Sequence, residues 1–195
     1  MPLIEFVKID HLTGLPATEA PTRHGPADPI QGIEHLWFTR GAPPHYFGRV
    51  PDGADINAPG ILQVLDTDAE AAMIANRQAT LTQHVASIRF TTETGGISLP
   101  GGTQINTQRD AQAMLTGAYQ SLKSGLVQDT EWKATSGWVT VTLTELEPIA
   151  QAVAEHVRRC FQAERAVSDQ ITSATTVDQL QALDLQTAFD TAYSA

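Results

Sequence analysis

Apolar and polar side chains alternate along LIEFVKI (residues 3–9), the period of a half-buried strand. Short apolar runs broken by Pro and Gly continue to about residue 66 and predict strands between turns. Within them, ATEAPTRHGPADPIQG (17–32) reads as a proline-rich connector. EHLWFTRGAPPHYFGRV (34–50) reads as two strands around a turn at Gly41-Ala42-Pro43-Pro44. The pattern changes at residue 67, where Thr67-Asp68-Ala69-Glu70 has the form of a capping box. A helix through Ala71, Ile74, Leu81 and Val85, ending near Ile88, is expected next, followed by strand-like residues 90–106. A second helix over 108–124 carries Ala111, Met114, Leu115, Ala118 and Leu122 as one apolar stripe, with Gly125 as its stop. EWKATSGWVTVT (131–142) then predicts a hairpin with a Ser-Gly turn.

The third helix is long, roughly 145–173, opened by a capping box of Thr144 and Glu147 with Pro148 in the first turn. Leu146, Ala150, Val153, Val157, Cys160, Val167 and Ile171 follow a heptad seam interrupted by Glu164. Such a seam packs on its own domain or against another subunit. Thr176 to Gln179 caps a last helix through Leu180, Leu183 and Phe189. Strands arrive in hairpins and not in β-α-β crossovers, so the fold class is α+β. The expected organisation is a β-rich N-terminal module (1–66) and a C-terminal domain (67–195) of antiparallel hairpins packed on amphipathic helices, ending in a long helix.

Glycines make one segment look chemical. ETGGISLPGGTQINTQRDAQAML (93–115) places two Gly pairs ahead of a helix, as a phosphate cradle does. No GxxxxGK[ST] or GxGxxG is present, and no lysine follows Gly102 to reach a phosphate. A hairpin accounts for every residue. With Pro100-Gly101-Gly102 as a three-residue loop, Leu99 faces Thr103 and Ile97 faces Ile105 on one side. Pro100 suits the first central position of a type I turn and Gly102 the left-handed residue after it.

Charge narrows the partners. Twelve basic and 22 acidic residues give a net charge of -10, which repels a phosphate backbone, so no nucleic-acid partner is expected. No apolar run reaches bilayer length and MPLIEFVKIDHLTG lacks the form of a signal peptide, so no membrane partner is expected either. The single cysteine, Cys160, cannot form an internal disulfide and reads as a buried thiol on a helix.

The six histidines form no HExxH or HxH; His35 and His45 could meet across a hairpin. DGADIN (52–57) has acids at the wrong steps for a calcium loop and reads as an acidic surface turn. With no GxSxG and no base arranged beside Cys160, no catalytic, cofactor or metal residues are assigned and the chain is read as a non-enzyme. Trp37, Phe38, Tyr46 and Phe47 crowd one segment, where they serve as the core of a small β module or as a docking surface. With Val153, Val157, Cys160 and Phe161 of the long helix, they are the candidate interface residues.

Order and spacing then carry a resemblance. Ile88-Arg89, Glu93-Thr94-Gly95-Gly96-Ile97, Gly102 and Thr107-Gln108-Arg109-Asp110-Ala111-Gln112 are followed by Gly117-Ala118, Trp132-Lys133, Gly137 and Leu143-Thr144. His156-Val157, Cys160-Phe161 and Glu164 complete the series. The run from Ile88 to Glu164, within about residues 84–175, resembles the phage-tail-associated domain of unknown function 4376. Gln108 stands where that family has Asp and Ala111 where it has Ser, so no role of that acid or hydroxyl is carried over. YFGRVPDGADINAPGILQVLDTDAEAAM (46–73) is similar, more faintly, to small modules of phage tail proteins.

The resemblance implies a virion structural protein of the tail (baseplate, tail tip or tail-fibre attachment), made in the host cytoplasm and docking to other tail or fibre proteins. It implies multiple copies under threefold or sixfold symmetry. The alternative it implies is a tail-fibre assembly chaperone; a cell-wall or polysaccharide hydrolase comes third and needs clustered carboxylates that the spacing does not offer.

Overall fold

The computed structural model describes residues 1–10, 26–38, 43–134 and 137–195. The fold is α+β, with antiparallel strands and packed helices. Two compact units form: Met1–Ala79 with Ala174–Ala182, and Thr80–Ser173 with Leu183–Ala195. The change from strand to helix falls at Thr67, as the sequence pattern has it, whereas the compact units divide within the helix that begins there.

In the first unit, β1 (Leu3–Phe6), β4 (Glu34–Phe38), β5 (Tyr46–Arg49) and β6 (Ile61–Val64) form an antiparallel sheet in the order β4-β5-β1-β6. β1 is central and buried on both faces, not on one as its alternation suggested. Leu3 packs with Leu36, Phe47, Leu65 and Val177, while Ile4 and Phe6 on the other face pack with Ile33 and Val50. Gly48 sits where a Cβ would lie 2.6 Å from Ile33 Cγ2 and 2.7 Å from the Glu34 carbonyl, so no larger residue fits that crossing. The 34–50 hairpin forms with Trp37 opposite Phe47 and Phe38 opposite Tyr46. Its predicted turn lies partly outside the described residues, as does most of the proline-rich connector. Where that connector is described, β3 (Pro26–Ala27) pairs with β2 (Ile9–Asp10). His35 and His45 do not meet: His35 Nε2 bonds Asp28 at 2.8 Å and His45 Nδ1 bonds Glu5 at 2.6 Å.

The helix α1 (Thr67–Thr94) is capped by Asp66, whose Oδ1 accepts from the Ala69 amide at 2.8 Å; the predicted box on Thr67 and Glu70 starts one residue late. It also continues past Ile88 through residues expected to be strand. Thr92 and Thr94 donate their hydroxyls to the carbonyls of Ile88 and Phe90, four residues back, the bond by which a threonine satisfies its hydroxyl within a helix.

In the second unit, β7 (Ile97–Ser98) and β8 (Gln104–Ile105) pair with Ile97 opposite Ile105, the predicted register. The turn is type II and not type I: Gly101 has φ +96° and the Gly102 amide bonds the Leu99 carbonyl at 2.9 Å. α2 (Arg109–Lys123) ends in a Schellman motif, with Gly125 N–H to Leu122 O and Leu126 N–H to Ser121 O. Leu115 and Leu122 of its stripe are buried, but Met114 is 66% exposed.

The strands β9 (Asp129–Ala134) and β10 (Gly137–Thr142) form the second hairpin, whose Ser136 lies outside the described residues. α3 (Leu143–Ser173) starts earlier than its pattern suggested. Glu145 Oε2 accepts from both the amide and the hydroxyl of Thr142, so the cap is Thr142 with Glu145, and Pro148 falls in the second turn. The expected last helix is two: α4 (Val177–Gln181), with the Thr176–Gln179 capping box, and α5 (Leu185–Ser194), restarted by Asp184 as N-cap.

Candidate functional site

Arg89 and Glu93 lie one helical turn apart near the end of α1, which sets both on one side of it. There α3 supplies Glu164, and α2 supplies Arg109 and Gln112. Arg89 donates through Nε to Glu164 Oε2 at 2.8 Å and through Nη1 to Glu93 Oε2. The other Glu93 oxygen meets Gln112 Nε2 at 3.4 Å and Arg109 Nε at 3.5 Å. Two guanidinium groups and two carboxylates thus cancel. The Glu93 side chain is only 4% exposed. Burial pushes its carboxyl up, yet hydrogen bonds from Arg89 and Gln112 and the charges of Arg89 and Arg109 outweigh this, leaving it below the usual carboxylate range.

The network continues through backbone. Thr107, fully buried, accepts the Gly96 amide on Oγ1 at 2.8 Å, and Gln112 Nε2 reaches the Thr107 carbonyl at 2.7 Å. Gln108 Nε2 donates to the Thr94 carbonyl at 2.9 Å. His156 on α3 places Nε2 at 3.2 and 3.1 Å from the Thr92 and Glu93 carbonyls, which only accept, so that nitrogen carries a hydrogen. Its Nδ1 meets the Tyr193 hydroxyl of α5 at 2.7 Å. One imidazole therefore ties the carbonyl end of α1 to α3 and α5.

The arrangement holds helices together. Cys160 is fully buried, and burial, helped by the Glu93 charge, pushes its thiol up to about 11, the opposite of an activated nucleophile. Around Arg89 the Phe161 ring lies 4.6 Å away and the Phe90 ring 6.0 Å away; the Arg109 guanidinium is 5.3 Å from Phe90. Along the same helix His84, Ser87, Ile88, Thr91 and Thr92 border, with Gln186, a shallow open groove. Among the described residues, no group of three or more His, Cys, Asp or Glu is placed to hold a metal ion.

The candidate interface residues are scattered. Phe47, Val153 and Cys160 are buried, and Tyr46 and Val157 half-buried; Tyr46 stacks on Phe6 at 5.6 Å. Phe38 and Phe161 are 61% and 48% exposed. The Trp37 side chain lies outside what the structure describes. The α3 seam is turned inward: Leu146, Val153, Cys160, Val167 and Ile171 are all buried, so docking through them would require the unit to open. Sequence reasoning missed the meeting of Arg89, Glu93 and Glu164, and Tyr193 altogether. The i, i+4 spacing of Arg89 and Glu93 was its one visible sign.

Residues 76–190 match the model of a family described as a Domain of unknown function (DUF4376). No curated protein and no solved structure matches the chain.

Proposed function

This chain belongs to the DUF4376 family, and on that premise we propose that it is a structural component of a bacteriophage tail that works by docking to neighbouring proteins. The place is the baseplate, the tail tip or the fibre attachment, in several copies, within a particle assembled in the host cytoplasm. The observation that carries the reading is how the signature residues are spent. Arg89, Glu93, Thr107, Gln112, His156 and Glu164 bond one another or nearby backbone, and the buried Cys160 thiol is held in its unreactive form. Glu93 and Glu164 share Arg89, and the Glu93 side chain is nearly closed to solvent, which favours docking over glycosidic chemistry. Outside, Phe38, Met114, Leu126 and Trp138 stay exposed, the kind of side chain that anchors protein interfaces. No helix among the described residues is long and apolar enough to cross a membrane.

Mass spectrometry of purified particles from the encoding phage tests the reading. The protein is expected in them at a stoichiometry matching the tail symmetry. Its absence from particles, together with fibre trimers that stay soluble only when it is co-expressed, would replace the reading by that of an assembly chaperone.

A further inference from the structure

The hairpin of the second unit has two edges of opposite character. β9, DTEWKA, carries Asp129, Glu131 and Lys133, whereas β10, GWVTVT, has no charge and no proline. Their register runs unbroken from Gly137 opposite Ala134 to Thr142 opposite Asp129, so no bulge twists β10 away. The edges of the four-stranded sheet differ: β4 and β6 both carry register shifts, the device by which natural sheets discourage a further strand. Among the described residues β9 is the one strand paired with β10. α2 approaches β9, and α3 continues from β10 and touches its end, where Glu145 holds the Thr142 amide and hydroxyl. Along that edge alternate residues turn their N–H and C=O groups outward. Gly137, Trp138, Val139, Thr140 and Thr142 are exposed, Trp138 by 69%.

We propose that β10 pairs antiparallel with β10 of a second copy, joining two hairpins into a four-stranded sheet and closing a twofold dimer. An extended backbone edge recognises another extended strand, and charge selects which one. A chain of net charge -10 repels its own copy over most of its surface, but two β10 strands meet without a like charge opposite. Pairing about Thr140 sets Val139 of each copy against Val141 of the other and Trp138 against Thr142. A third and fourth strand also relieve the marginal stability of a two-stranded ribbon. One edge paired with itself is used up, so the assembly stops at two. The inference is independent of the tail reading.

Sedimentation equilibrium on the full chain tests it. The expected mass is twice the 21.0 kDa of one chain. Thr140→Lys puts a lysine on the edge while facing Glu131 across its own hairpin; it should weaken dimerisation on the order of tenfold or more, whereas Thr140→Val should not. Circular dichroism establishes that each variant folds, and Trp138→Lys serves if Thr140→Lys does not. A monomeric parent chain, a trimer or larger assembly, or a dimer indifferent to a folded lysine variant would each overturn the proposal.

Discussion

Glu93 shows how a buried carboxylate becomes a pH-dependent element of stability. Its folded carboxyl titrates below the ordinary value of 4.5, so above that value folded and unfolded chains are both ionised and the contribution is complete. As pH falls the unfolded chain takes up the proton first, and the contribution is lost as pH drops through the folded value. Denaturant unfolding measured from about pH 6 to about pH 3 should show stability falling with acid, more shallowly in Glu93→Gln. An unchanged slope would contradict the role given to Glu93. Glu155, held near about 2 first by its hydrogen bonds from Arg158 and Arg159, titrates in the same direction, as do Glu145 and Asp184, so the slope is reduced and not abolished. Little of this was legible in the sequence. Glu93 meets Arg89 within α1, but Glu164 stands 75 positions from Arg89, and only the fold brings α3 to it.

At the scale of elements, local signals read well where the local bond is the one made. The register of β7 and β8 followed from turn length and the two isoleucines, and the Thr176–Gln179 box stands where its motif put it. Boundaries slipped where a competing neighbour took the bond. Asp66 caps α1 in place of Thr67, Thr142 with Glu145 caps α3 in place of Thr144 with Glu147, and the threonines of α1 bond backward within the helix. The earlier start of α3 has an energetic consequence. Pro148 sits past the first turn, cannot donate to the Thr144 carbonyl, and crowds it. It is exposed, so its ring contributes little burial in return. Pro148→Ala should therefore stabilise the chain by about 1–3 kcal/mol, read from the denaturant midpoint at constant slope. A loss of stability would mean that the proline serves α3 in a way its position does not reveal.

At the scale of the molecule, the family match over residues 76–190 covers most of the second unit, which holds the whole Arg89–Glu93–His156 network. The sequence displayed the signature in order but not its convergence: hairpin glycines, helix-start polar residues and the His-Cys-Glu face of α3 are common pieces apart. Folded, they make one scaffold, and the docking proposed above would fall to outer surfaces such as β10 and the exposed aromatic rings. The central claim is that the signature residues serve one another. A double-mutant cycle on Arg89 and Glu93 tests it most directly, using Arg89→Met, Glu93→Gln and the pair, with unfolding free energies from denaturant titration. Arg89→Met should cost about 3–5 kcal/mol, because it takes the shared guanidinium from buried Glu93 and half-buried Glu164. The double variant should cost less than the sum of the singles, by a coupling of about 1–3 kcal/mol. Single variants as stable as the parent and additive within about 0.5 kcal/mol would contradict the account.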